Sequence, residues 1–267
     1  MNAPSSSIPD SANSNKWFAC PQAHSGAETR LFFFPYAGGG PAVFGKWYGE
    51  LPNHLEGWVA HYPGRGSRNN EPPIKRLITL VENLAQAMQP LLDKPFAFFG
   101  HSLGGLVSFE LARHLRQNNL PQPTMLFISA CGAPQILDPH PPIHTLPDSE
   151  FLKALERLDG IPPEFLQDPD ILKLFLPALR ADFELIESYH YDSTEPPLDC
   201  PINAFGGLDD PRVSRDRLEG WASQTTSRFE SQYFSGDHFF TNTSREAIIE
   251  SITEEIIPSP TGKHRLV

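Results

Sequence analysis

The chain reads as an α/β protein: a mostly parallel central sheet with helices on both faces. Three observations predict this. Six short apolar runs alternate with segments whose apolar residues recur at three- and four-residue steps, the pattern of strands joined by covering helices. One of those runs ends in a glycine-flanked serine and passes directly into a helical pattern. With 267 residues, 39% of them hydrophobic and 11% aromatic, the chain can bury a sizeable core and is too apolar to be disordered.

The elements follow in order. Residues 1–28 are rich in Ser, Asn, Ala and Pro and lack a charged stretch followed by an apolar one, so they read as a flexible leader and not a secretory signal. Arg30 to Tyr36 is aromatic and apolar and stops at Ala37-Gly38-Gly39-Gly40, as a buried strand ending in a tight loop would. Trp58 to Tyr62 is a second strand. Leu77, Leu80, Val81, Leu84, Met88 and Leu91 share one helical face. Phe96 to Phe99 is a strand and Leu103 to Arg116 the helix that follows it. Thr124 to Ala130, Ile202 to Phe205 and Phe229 to Phe234 complete the strands. Arg245 to Ile257 closes the domain as a helix with Ile248, Ile249, Ile252 and Ile256 on one stripe, and residues 258–267 read as a flexible tail.

The domain therefore spans 29–257. Within it, residues of about 133–200 break the alternation, opening with Pro134, Pro139, Pro141, Pro142 and Pro147 before several short amphipathic runs. Proline stops helices and turns the chain. An inserted helical lid is the reading, with ordinary connecting helices as its alternative.

A net charge of −11 with no Lys/Arg block argues against nucleic acid or an anionic membrane as partner. No stretch approaches the ~18 apolar residues needed to span a bilayer. Cys20, Cys131 and Cys200 show neither a disulfide framework nor zinc-ligand spacing. A soluble, cytoplasmic monomer with reduced thiols, no metal and no cofactor is expected.

Gly100-His101-Ser102-Leu103-Gly104 matches Gly-x-Ser-x-Gly. That pattern arises by chance in roughly one chain in ten of this length. Its setting, between a strand and a helix, makes it a nucleophile elbow and points to the α/β-hydrolase fold. Gly100 and Gly104 permit the sharp turn, which lifts the Ser102 hydroxyl above the sheet beside a helix N-terminus. The partners in this fold follow in the order serine, acid, histidine. Past the late strand only His238 and His264 remain, and His238 has the better place, after a strand and before the last helix. The acid comes from the turn Gly206-Gly207-Leu208-Asp209-Asp210, where Asp210 is favoured and Asp209 caps the turn. The 28 residues from Asp210 to His238 leave room for one helix and one strand. Oxyanion donors are expected from the Leu103 N–H and, across the glycine-rich loop, the Ala37 N–H. That loop lacks the Lys-Ser/Thr ending of a P-loop.

Phe34-Pro35-Tyr36-Ala37-Gly38-Gly39, Tyr62-Pro63-Gly64-Arg65-Gly66-Ser67-Arg68, Gly100-His101-Ser102-Leu103-Gly104-Gly105 and Gly236-Asp237-His238-Phe239-Phe240 occur in this order. Together they resemble type II thioesterases, the stand-alone editing enzymes of nonribosomal peptide and polyketide synthesis, over roughly Arg30 to Ile257. Tyr36 stands where the family often has His or another aromatic residue, and Gly66 where Glu is frequent. The resemblance implies Ser102, Asp210 and His238 as a triad with Ala37 and Leu103 as oxyanion donors. It also implies a substrate held as a thioester on the 4′-phosphopantetheine arm of an acyl or peptidyl carrier protein. Carrier domains are commonly acidic, so Arg65 and Arg68 are candidates to meet the arm's phosphate. Rival readings are a product-releasing thioesterase or acyltransferase, a general carboxylesterase, and a binding module without catalysis.

Overall fold

Phe32, Phe33 and Phe34 show how the core divides. Side chains alternate across a strand, so Phe33 joins Leu31, Phe44, Trp47 and Phe99 on one face while Phe32 and Phe34 join Phe96, Phe98 and Phe18 on the other. All three rings are fully buried. The computed structural model describes residues 15–157 and 169–256.

Those residues build a seven-stranded sheet: β1 (Phe18–Ala19), β2 (Thr29–Phe34), β3 (Leu55–Ala60), β4 (Phe96–His101), β5 (Leu126–Ser129), β6 (Ile202–Gly207) and β7 (Phe229–Phe234). The order is β1-β3-β2-β4-β5-β6-β7. Only β1 runs antiparallel, placing Phe18 opposite Ala60; the other pairings are parallel. Parallel strands need crossovers. These are supplied on one face by α1 (Leu77–Met88) and α2 (Leu103–Gln117), while α6 (Arg245–Ile256) covers the other through Ile248, Ile249 and Ile252. The α/β class with helices on both faces is thus as expected.

α3 (Asp148–Arg157) and α4 (Pro169–Glu187) lie between β5 and β6, and α5 (Arg215–Glu219) between β6 and β7. Pro177 sits inside α4, where it removes one backbone donor, so proline in this segment does not mark helix ends alone. α4 braces the chain ahead of α3: Glu187 accepts the Ile143 and His144 N–H groups at 2.8 and 3.0 Å, and Arg180 reaches the Asp148 carboxylate at 2.6 Å. The residues missing from this region's description, 158–168, fall within the expected lid.

One expectation needs correction. The flexible leader does not extend to residue 28, because Phe18 is only 3% exposed and packs edge-on against Phe32 at 5.3 Å. Arg68 also stacks over Trp17 at 4.2 Å. A two-residue strand is too short to show a period, which hid it within a polar segment. Residues 1–14 of the leader and the tail 258–267 lie outside the described residues. Among the described residues, no helix is long and apolar enough to cross a membrane.

Candidate active site

β4 ends at His101 and α2 begins at Leu103, leaving Ser102 alone to make the turn. It adopts φ 55° and ψ −116°, a conformation that non-glycine residues avoid and that the surroundings must enforce. Two contacts do so. Ser102 donates its N–H to the Ser129 carbonyl of β5 at 2.8 Å, and its own carbonyl accepts from Gly105 at 2.9 Å. The glycines are there for close approach: a Cβ on Gly100 would lie 2.1 Å from the Gly104 oxygen, and one on Gly104 only 1.9 Å from the Phe34 oxygen.

The Ser102 hydroxyl, on a half-buried residue, stands 3.0 Å from His238 Nε2. His238 Nδ1 is 2.9 Å from Asp210 Oδ2. Asp210 follows β6, and its Oδ1 accepts the Arg212 and Val213 N–H groups at 2.8 and 3.3 Å. Asp209 is exposed and Asp237 faces solvent, where it accepts the Phe239 N–H at 2.7 Å. The structure therefore brings Ser102, His238 and Asp210 into one hydrogen-bonded line and leaves Asp209 outside it. His264 lies outside the described residues.

Burial dominates the electrostatics. It holds the His238 imidazole below its usual pKa, while the hydrogen bond to Asp210 pulls the other way. For Asp210, burial favours the acid, but the His238 hydrogen bond and charge and two backbone donors together keep its pKa below the ordinary value. A neutral imidazole facing a hydroxyl, with an ionised carboxylate behind it, is the arrangement of a base ready to accept a proton. His101 is buried too, with Nδ1 2.9 Å from the Ser129 hydroxyl. Burial first, and the neighbouring His238 second, push its pKa down to about 3, so it stays neutral.

The two expected oxyanion donors come from separate elements. Leu103 has the first N–H of α2, which has no carbonyl one turn earlier in the helix. Ala37 follows β2, and among the described residues its N–H donates to no protein acceptor.

Arg65 and Arg68 are a correction. The expectation placed both at the surface to meet a phosphate; the structure buries them, 4% and 5% exposed. Arg65 makes a two-pronged bond to Asp182, at 2.6 and 2.8 Å, and lies over the Tyr62 ring. Arg68 grips Glu71 at 2.9 and 2.7 Å. Their donors are taken up within the protein, as a buried guanidinium requires. Asp182, on α4, is a partner that the sequence does not announce: it lies 117 positions from Arg65, in a region with no motif.

The family model for the thioesterase domain matches residues 29–256. Gramicidin S biosynthesis protein GrsT of Aneurinibacillus migulanus is 43% identical over 242 residues, covering 91% of this chain and 94% of that protein. Among solved structures, the type II thioesterase BorB of the borrelidin biosynthetic cluster superposes with a TM-score of 0.82 at 31% identity, over 89% of this chain and 96% of its own. RedJ, the thioesterase of the prodiginine pathway in Streptomyces coelicolor, gives 0.81 at 32%, over 96% of each chain. A serine elbow, the α/β-hydrolase sheet and these matches agree: the chain belongs to the thioesterase family and is a hydrolase of thioesters.

Proposed function

We propose that this chain is a type II thioesterase that clears acyl or aminoacyl groups from the 4′-phosphopantetheine arms of carrier proteins in nonribosomal peptide or polyketide synthesis, restoring carriers that are stalled or misprimed. The observation that carries this reading is the 3.0 Å approach of His238 Nε2 to Ser102 Oγ, with Asp210 behind it, in a chain of this family. Relatives such as GrsT, named for gramicidin S biosynthesis, support the pathway.

In the proposed reaction His238 takes the Ser102 proton as the oxygen attacks the thioester carbonyl. The oxyanion is met by the Ala37 and Leu103 N–H groups. The C–S bond breaks, the carrier thiol leaves with the proton held by His238, and an acyl-serine remains. His238 then deprotonates water, which attacks the ester, and the acid departs as the proton returns to Ser102. Asp210 orients the imidazole throughout. The chain's own part needs no cofactor; the pantetheine arm belongs to the partner.

Within the segment of about 133–200, α4 acts as a lid beside the loop after β2. Support comes from α4, whose Leu179 Cδ1 comes within 3.0 Å of where a Gly38 side chain would start. The hydrolase domain takes in β1 together with the expected span 29–257, and the protein works as a cytoplasmic monomer.

The test is intact-mass analysis of carrier proteins loaded with different acyl groups, before and after incubation with enzyme. Loss of the acyl mass with the arm retained is expected, and Ser102→Ala abolishes it. Labelling of Ser102 by a fluorophosphonate separates an enzyme from a binding module. Faster turnover of soluble oxygen esters than of acyl carriers would overturn the assignment in favour of a carboxylesterase.

A further inference from the structure

Arg65 and Asp182 form a buried ion pair that touches none of the triad, yet both partners also bond to the loop after β2, Asp182 at Gly38 and Arg65 at Gly39. Gly38 donates its N–H to Asp182 Oδ2 at 2.7 Å. The same oxygen receives Arg65 Nη1 at 2.6 Å, and Oδ1 receives Nη2 at 2.8 Å. Arg65 Nη1 also reaches the Gly39 carbonyl at 3.2 Å. Gly39 returns its N–H to the Tyr36 carbonyl at 2.9 Å.

We infer that Asp182, held by Arg65, is a positioning residue that aims the Ala37 N–H at the developing oxyanion. This rests on the hydrolytic reading of Ser102 given above. The geometry works through peptide planes. In a trans peptide the carbonyl and N–H point in opposite directions. Fixing the Tyr36 carbonyl on Gly39 therefore fixes where the Ala37 N–H points. The Ala37–Gly38 plane is set by Asp182 and the Gly39–Gly40 plane by Arg65, so the peptides beyond Ala37 cannot rotate and carry the donor away.

Gly38 has φ 78°, in the left-handed region that favours glycine. Asp182 is 2% exposed, so its bonds act where water does not compete.

The pair has a second property. Asp182 is carried on α4, whereas Arg65 and the loop belong to the sheet-bearing part of the chain. Docking of α4 and ordering of the oxyanion loop are then one event. If α4 lifts to admit an acyl chain, the loop loses its anchor, and the donor is restored only when α4 returns over the bound substrate. A buried ion pair is commonly no more stabilising than apolar side chains of the same volume. Its use here is positional.

The experiment compares Asp182→Asn and the double variant Arg65→Met/Asp182→Leu, which removes both charges together and so avoids stranding one. Hydrolysis of a soluble acyl thioester of N-acetylcysteamine gives kcat and KM. A trifluoromethyl ketone analogue, whose adduct with Ser102 carries an oxyanion, and an unreactive thioether analogue report the two states of binding. Both variants should lose roughly tenfold to a hundredfold in kcat, less than the loss of a whole oxyanion donor, with KM little changed. Affinity for the ketone should fall by a similar factor and that for the thioether should hold. The double variant should melt near the parent temperature while its kcat stays low. Parent kcat in that variant, or a rise in KM alone, would overturn the role of Asp182. Ser102→Ala separates the two layers: residual hydrolysis in it would sink the underlying reading, whereas an inactive Ser102→Ala beside a fully active double variant sinks only this inference.

Discussion

Asp210 divides its carboxylate between two tasks: Oδ2 meets His238 Nδ1 at 2.9 Å while Oδ1 accepts the Arg212 and Val213 N–H groups that shape its own turn. The second set of bonds immobilises the carboxylate that orients the first. Asp210→Asn should therefore lower kcat/KM by roughly 10⁴-fold, as loss of a triad acid does elsewhere. Asp209→Asn should match the parent, since Asp209 is exposed and outside the line. Steady-state kinetics of both variants would decide it, and equal losses would refute the assignment.

The pH profile follows from His238. Burial depresses its pKa and Asp210 partly restores it. Activity needs the neutral imidazole, so kcat/KM should rise with pH through a midpoint below 6.5, the ordinary value for histidine. Removing the Asp210 charge takes away the restoring influence. In Asp210→Asn the residual activity should have its midpoint at still lower pH. A midpoint that moves up would contradict this electrostatic account.

His101 should make the fold acid-sensitive. Its pKa is about 3 when folded, against 6.5 for the free side chain. Between those values the unfolded chain binds a proton that the folded chain refuses. Stability is thus fully present above pH 6.5 and declines as pH falls toward 3, by at most about 1.4 kcal/mol per pH unit from this one group. In His101→Asn, urea midpoints measured at pH 7 and pH 5 should differ less than in the parent. Identical differences would remove His101 from the account.

At the elbow, Gly104→Ala should be severe, because the new carbon would lie 1.9 Å from the Phe34 carbonyl oxygen and backbone must move to admit it. A loss of several kcal/mol or failure to fold is expected. Gly49→Ala is the control: nothing lies within 4 Å of its added carbon. Thermal melts of the two should differ widely.

Arg68 offers the opposite dissociation. Its guanidinium is bound by Glu71 and covered by Trp17, so Arg68→Ala should cost about 1–3 kcal/mol of stability. Kinetics on carrier-bound and on soluble thioester should both stay at parent values when measured well below the melting temperature. A rise in KM for the carrier alone would restore the phosphate role.

What the sequence made legible is what is local. Gly100, Ser102 and Gly104 crowd one turn, and the strand and helix around them announce themselves by period, so the elbow could be read directly. His238 and Asp210 could be placed because they follow strands whose apolar runs are unmistakable. Phe18 could not, because its strand is two residues long and its partner Ala60 is distant in the chain. Nor could Asp182: a single acid on an amphipathic helix looks like any solvated one until the fold brings Arg65 to it. The misreading of Arg65 and Arg68 has the same cause. An arginine in a loop has the same appearance in sequence whether it faces water or a buried carboxylate.

The run Phe32-Phe33-Phe34 carries one more consequence. A strand ordinarily keeps its alignment because a one-residue slip would turn its apolar side outward. Here such a slip replaces phenylalanine with phenylalanine at the centre of β2, although in β4 it would exchange Phe98 with Ala97. Phenylalanine identity therefore does little to hold the register of β2, and Arg30 does more, bonded to Glu56 of β3 at 3.1 Å and to the Leu91 carbonyl at 2.7 Å. A second restraint is the backbone contact at the end of β2, where Gly104 packs against the Phe34 carbonyl with no room for a side chain. The glycine that lets the serine turn outward thus also holds the end of β2 close against the start of α2.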